Sequence, residues 1–443
     1  MNFLKRRLDQ ESKTLIRNSK WVFIANIIGA AFGFIRSVVI ARGLGVEIFG
    51  TYTMVIAFVA LVQEFLNLNL GTAIIKFGAD FKAQNRLDKL AVMLRQSVKI
   101  SFIMSLVLVA IITVLTLTSY DTLIRKPHLH WFVVGYAIAN SVAYYNLITK
   151  SALRLFFKFR KNSMIQILMD FIETTLMVLA VLFYPKNLTM FFAAAIATRF
   201  LNAVVCNLLG FWEMKSDLWS HRHAPDSVIS EQLPAMRKFI INNSLGNTLK
   251  SFIQQGDVLL LGILAGPVSV GLYSVAKKLA YSLLTITDPL VNSIYPQFSK
   301  LVAEEKITEL KKMLRKISLI SIVPAMAFLV GCYFFKTWIV IKVFGASYID
   351  AAPPFFILLI NAVVGALTFW VLPLVQSLGL VGIRLRTYAA MIIFGSALAY
   401  MLVPGWGASG MAMALLFVNI LNNIVFIYYS MKSIKPSFLN FAR

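Results

Sequence analysis

The chain has 443 residues, 59% of them hydrophobic and only 14% charged, with a mean hydropathy of +0.76. Soluble domains carry about 25% charged residues, and this much apolar surface cannot be hidden in one water-soluble core, so collagen-like, disordered, disulfide-scaffold and ordinary soluble-enzyme classes are excluded. The net charge of +24 is first a matter of topology in such a protein, because Lys and Arg concentrate in cytoplasmic loops.

The first twenty residues, MNFLKRRLDQESKTLIRNSK, are too charged for a cleavable signal and read as a cytoplasmic amphipathic lead-in. Apolar segments long enough to cross ~30 Å of hydrocarbon then recur near 21–41, 48–71, 92–118, 131–152, 163–184, 189–212, 239–263, 270–295, 315–336, 353–378, 385–403 and 408–431. They predict an all-α integral membrane protein of about twelve spans. An even number puts both termini on one side. With the N-terminus inside, roughly 30 basic residues fall in inner segments and about six in outer loops. The expectation is a multi-pass protein of the cytoplasmic membrane with both ends cytoplasmic. The charge needs no nucleic acid to explain it, since no basic stripe is interleaved with aromatics on a soluble module.

The polar run at 213–238 has the Pro, Ser and charge content of a linker. It divides the chain into a 1–20 lead-in, a lobe over 21–212, the linker, a second lobe over 239–431 and a tail over 432–443. One fixed offset of 221 residues relates the two lobes. Gly45-V-E-I-F-Gly50-T-Tyr52 aligns with Gly266-P-V-S-V-Gly271-L-Tyr273, and Asn26 and Phe77 align with Asn247 and Phe298. Because six is even, the lobes form a parallel repeat about an axis normal to the membrane, and the cleft between them is the expected substrate site. The four glycines bracket short external turns, where they serve either as turn residues or as gate hinges.

On the seventh span Asn243, Asn247, Lys250, Gln254 and Asp257 recur at spacings of 4, 3, 4 and 3, one polar stripe on one helix face. The offset sends Asp257 to Arg36 on the first span. Two readings stay open: an Arg36–Asp257 pair holding the outer side closed, or Arg36 and Lys250 on a substrate phosphate with Asp257 taking up the coupling ion. Lys277 and Lys278 either line the path or snorkel to the outer headgroups. Asp170 and Glu173 share a face with Gln166, with Arg199 at similar depth, and read as a buried pair or a proton relay. Glu64, Gln63, Asn67, Arg95 and Lys99 read as solvated or snorkelled ends, and Asn140, Tyr144 and Tyr145 as packing or sugar contacts.

The runs ARGLGVEIFGTY over 41–52 and LNLGTAIIK over 68–76 resemble the first hairpin of Wzx-type lipid-linked oligosaccharide flippases, of the polysaccharide transport family. QGDVLLLGILAGPVSVGLYSVAKK over 255–278, through Tyr295-Pro296-Gln297-Phe298, resembles that family's seventh and eighth helices. The resemblance implies the superfamily fold shared with MATE-type exporters and lipid II flippases: two pseudo-symmetric six-helix lobes working by alternating access. It implies flipping of a polyprenyl-diphosphate-linked oligosaccharide for surface polysaccharide such as O-antigen. On this reading the polar residues within the spans give the expected site: Arg36, Lys250, Gln254, Lys277 and Lys278 for substrate, and Asp257, Asp170 and Glu173 for ion coupling or gating. Implied partners are the lipid-linked oligosaccharide, membrane lipids, a polysaccharide polymerase and glycosyltransferases, with the protein itself a monomer.

Cys206 and Cys332 stand alone in apolar stretches, and the histidines occur as His128/His130 and His221/His223 on opposite membrane faces. With no HExxH, GxSxG or GxxxxGK[ST] motif, the expectation is no metal, no catalytic residue and no cofactor, and a cycle driven by H+ or Na+, membrane potential or the substrate gradient. The alternatives are a MATE-type cation exporter with an acidic cavity, a membrane polymerase with a large external catalytic loop, and a scaffold without transport.

Overall fold

A computed structural model describes residues 2–118, 130–282, 288–304 and 306–434. In hydrocarbon a backbone must satisfy its own polar groups, and for these sequences the helix is the solution. The described residues form α1 (Asn2–Leu44), α2 (Val46–Phe65), α3 (Leu70–Ala83), α4 (Leu87–Thr118), α5 (His130–Ser141), α6 (Ala143–Leu155), α7 (Phe159–Phe183), α8 (Leu188–Leu218), α9 (Leu233–Ser282), α10 (Asp288–Ala303), α11 (Ile307–Phe344), α12 (Ala352–Leu367), α13 (Val371–Ser377) and α14 (Val381–Ser433), with short 3-10 turns between some of them.

Nine described helices are long and apolar enough to cross a membrane. The twelve expected spans emerge once folded and broken helices are counted. α9 turns back at Gly266 and α14 at Gly407, so each holds two spans, while α5 and α6 make one span in two pieces. Residues 48–71 and 353–378, expected as single spans, are also broken, at 66–69 and 368–370. At the first of these breaks a side chain satisfies an exposed backbone group, Asn69 N–H donating to Asn67 Oδ1 at 3.0 Å, and Asn67 Nδ2 is in turn held by Glu64 Oε2 at 3.2 Å. Within the expected span 270–295, residues 283–287 lie outside the described residues.

The repeat is visible in the backbone. Gly45 and Gly266 carry φ of 76° and 77° at the two aligned turns, a left-handed geometry that penalises any Cβ.

The chain divides into two compact units, one of residues 1–43 with 58–248, the other of 44–57 with 249–443. The division falls inside α9. In the first unit a core at one end of the bundle packs Ile74, Phe81, Leu90 and Met93 with Ile229 and Met236, and Phe77 lies against it. Its counterpart in the second unit is built on Phe298, Leu310, Leu374 and Phe426. The repeat partners Phe77 and Phe298 thus occupy corresponding cores.

The linker is part of the first core and is not a loose tether. Arg95 on α4 donates to the carbonyls of Arg222 at 2.9 Å and Ala224 at 2.7 Å and to the Asp226 carboxylate, which Gln96 also reaches. Lys99 lies 3.7 Å from the same carboxylate. Lys99, more than half exposed, stays a solvated end, whereas Arg95, expected as one too, is a tie: α4 passes beside the linker and Arg95 clasps it. The hydrogen bond from Arg95 holds the Asp226 carboxyl below its ordinary value. A depressed carboxylate stabilises above its unfolded pKa, near 3.9, and that contribution is lost as pH falls through the lower folded value. Protease cleavage in 213–238 is expected to be slow at neutral pH, to rise at acid pH, and to be fast at pH 7 in Arg95→Ala; equal cleavage of variant and wild type at pH 7 would refute the clasp.

Candidate functional site

The second unit carries a buried charge centre that joins the two helices of the folded α9. Asp257 sits on the first and its side chain is only 4% exposed. Tyr273, Lys277 and Tyr281 recur every four residues on the second, one face of a helix. Asp257 Oδ2 accepts hydrogen bonds from Tyr273 Oη and Lys277 Nζ, each at 2.6 Å. Tyr273 is fully buried, whereas the Lys277 side chain keeps 23% exposure, so the cation is the most exposed member of the trio. Lys277 also lies 5.8 Å from the Tyr273 ring. A buried carboxylate of this kind needs its cation and a second donor to repay desolvation.

A ladder of amides continues across the unit. Asn361 on α12 donates to Tyr281 Oη at 2.7 Å, Asn419 on α14 donates to Asn361 Oδ1 at 2.7 Å, and Asn423 donates to Asn419 Oδ1 at 2.9 Å. None of Tyr281, Asn361, Asn419 and Asn423 was anticipated from the sequence. The i, i+4 spacing of Asn419 with Asn423, and the register of Tyr273, Lys277 and Tyr281, are the signals that would have found them.

In the first unit Arg36 and Glu173 form the corresponding centre. Arg36 Nη1 lies 3.0 Å from Glu173 Oε2, with both side chains about one-fifth exposed; the contact is one of charge, without the alignment of a hydrogen bond. Gly29 lets α1 run close to α7, since a Cβ there would stand 2.9 Å from Asp170 Oδ2 and 3.3 Å from Gln166 Nε2. Arg36, Glu173, Lys150 and Arg199 all act electrostatically on Asp170.

The Arg36–Asp257 pair considered from the offset is thus replaced by two pairs, one inside each unit. Arg36 meets Glu173 and Asp257 meets Lys277, because each carboxylate and its cation lie on helices packed within one bundle. The aligned positions carry opposite charges, and each recruited a complementary partner locally. Lys277 points to Asp257, which removes the snorkelling alternative for it. Lys278 is partly exposed. Lys250 and Gln254 lie on α9, but their side chains, with that of Asn247, are outside the described residues. Gln63 proves a tie and not a solvated end: it donates to the Asn140 carbonyl at 3.3 Å, Asn140 returns a bond to its side chain, and Tyr144 Oη donates to its carbonyl at 2.9 Å.

The four motif glycines divide by role. Gly45 and Gly266 make the turns. Gly50 and Gly271 permit contact, since a Cβ on Gly50 would overlap the Pro267 carbonyl and one on Gly271 would overlap that of Val46.

Solved structures share this architecture. An inward-facing multidrug-resistance MATE transporter of the MOP superfamily matches with a TM-score of 0.73 at 15% identity, covering 92% of this chain and 94% of that one. An outward-facing MATE transporter of the same superfamily matches at 0.62 with 17% identity and 95% of each chain. A MOP-superfamily transporter from Pyrococcus furiosus, described by a reversed binding-pocket polarity that suggests a different function, matches at 0.66 with 15% identity and 95% of each chain. No curated protein sequence matches. The sequence pattern of the family described as polysaccharide biosynthesis protein matches residues 15–302, well over half of the chain. This multi-pass, all-helical membrane protein with the MATE-type fold belongs to the polysaccharide biosynthesis protein family.

Proposed function

We propose that the protein flips a polyprenyl-diphosphate-linked oligosaccharide from the cytoplasmic to the external leaflet of the cytoplasmic membrane by alternating access, supplying surface polysaccharide synthesis. The observation that carries this reading, beside family membership, is the charge balance of the buried centres. Glu173 and Asp257 are each matched by a cation, whereas an exporter of organic cations needs carboxylates open to its cargo. An anionic diphosphate has the opposite need, because each charge brought into hydrocarbon costs several kcal/mol. Arg36 and Lys277 meet it, Arg as a bidentate fork and Lys as a mobile point charge, with Lys250, Gln254 and Lys278 completing the path. Asp257, with Asp170 and Glu173, is the proposed H+ or Na+ coupling set. In the Pyrococcus furiosus transporter a reversed pocket polarity suggests a different function, and a cargo other than organic cations is the reading taken here. A polymerase and glycosyltransferases are the proposed functional partners of a monomeric flippase.

Deleting the gene is expected to trap lipid-linked oligosaccharide in the cytoplasmic leaflet without changing sensitivity to cationic dyes. Normal lipid-linked pools with heightened dye sensitivity would sink this reading in favour of a cation exporter. Exchanging charges by Arg36→Glu with Glu173→Arg is expected to keep the protein folded but to slow flipping by about tenfold or more. Full activity of the exchanged protein would reduce Arg36 to a structural partner of Glu173.

A further inference from the structure

Within the buried trio of the second unit the carboxylate is pinned and its cation is not. Asp257 Oδ1 accepts from the Val258 N–H at 2.8 Å, and Oδ2 accepts from the Tyr273 hydroxyl at 2.6 Å. Two donors thus hold this short side chain before the cation is counted. Lys277 reaches Oδ2 at 2.6 Å from the end of a flexible four-carbon stem. Its side chain is 23% exposed against 4% for Asp257, so it is the member with surface outside the pair. Among the described residues the titratable groups that interact with Asp257 are Tyr273, Lys277 and Tyr281, and Lys277 alone of these is a cation.

A phosphate offers an ammonium more negative charge and more acceptor oxygens than a single carboxylate does. Given the diphosphate reading above, we propose that Asp257 is a built-in competitor for Lys277. It occupies the cation while no substrate is bound, and the diphosphate enters by drawing Lys277 off it. Asp257 stays behind on Val258 and Tyr273 with a buried charge that has lost its cation, the condition in which a carboxylate most favours taking up a coupling ion. Substrate and coupling ion therefore strengthen each other's binding, and by linkage the effect is reciprocal. The competitor also sets specificity. A lipid without negative charge has nothing with which to displace Asp257, and the pair stays closed to it.

The test is binding of farnesyl diphosphate, a short polyprenyl diphosphate, to the detergent-purified full chain at one fixed pH, read by microscale thermophoresis. Asp257→Asn keeps the side chain's size and removes its charge. It is expected to tighten binding by about tenfold, the scale of one charge-assisted hydrogen bond no longer competed for. Where Asp257→Asn does not accumulate as folded protein, Asp257→Ala serves in its place. Asp257→Asn with Lys277→Met is expected to lose the whole gain and to bind more weakly than wild type, because the competitor acts only through the cation it holds. Farnesol, the same chain without phosphate, is expected to gain nothing from Asp257→Asn. Wild-type binding that Asp257→Asn leaves unchanged or weakens would overturn the proposal and leave the diphosphate reading standing. A double variant as tight as Asp257→Asn would overturn it too, since the gain would then come from relieved repulsion without Lys277, as would an equal gain for farnesol. Absence of binding by the wild type and every variant would overturn the diphosphate reading, and the proposal with it.

Discussion

Lys277→Ala is expected to abolish flipping and to destabilise the protein by about 3–5 kcal/mol, the usual cost of stranding one member of a buried ion pair. The stranded group is Asp257, whose side chain is 4% exposed and whose Oδ2 would keep Tyr273 but lose its cation. Asp257→Ala strands the more exposed Lys277 and is expected to cost less stability while still blocking transport. The informative variant is the double one. Asp257→Asn with Lys277→Met removes both charges and nearly preserves volume, so much of the lost stability should return. Flipping should not return, because the proposed phosphate cation and coupling carboxylate are both gone. Thermal unfolding in detergent and the leaflet distribution of lipid-linked oligosaccharide separate the two effects. A double variant that is stable and active would make the trio a structural strut.

Gly50→Ala is expected to prevent accumulation of folded protein, with a penalty above about 4 kcal/mol, a size reserved for named defects such as overpacking against backbone. The added methyl would overlap the Pro267 carbonyl, and Gly271→Ala would drive its own into that of Val46. A carbonyl cannot rotate away as a side chain does, so the helices themselves must part. Gly45→Ala makes the useful contrast. Nothing lies within 4 Å of its Cβ position, but its φ is +76°, so the cost should be near the left-handed penalty of about 1–2 kcal/mol. Gly331→Ala, in open space on α11, should be tolerated. Fluorescence-detected size-exclusion of the solubilised variants ranks all four, and comparable yields of Gly50→Ala and Gly331→Ala would refute the close backbone contact at Gly50.

Much of the architecture was legible because the bilayer imposes it residue by residue. Span number follows from hydropathy, and the repeat from one offset, which the matching φ angles of Gly45 and Gly266 support. The pairing of the site's charges was not legible. Arg36 and Asp257 are aligned by the offset, yet each found its partner on a neighbour in its own bundle, Glu173 on α7 and Lys277 on the returning arm of α9. Gln63 and Arg95 were misread for the same reason: a polar residue near a span's end looks solvated until the helix or linker beside it is known. The Tyr281–Asn361–Asn419–Asn423 ladder joins residues more than a hundred positions apart, and amides carry no charge to mark them in a hydropathy profile.

The sequence by itself determined the solvent, the helical class, the two sixfold halves and the turn positions, since each depends on local composition or spacing. The tertiary structure alone decided which carboxylate meets which cation, that the linker belongs to the first core, and that residues 44–57 belong to the second unit. Those outcomes depend on which helices lie side by side, and in hydrocarbon that choice is made by close packing and by satisfying every buried polar group, neither of which can be read from one helix at a time.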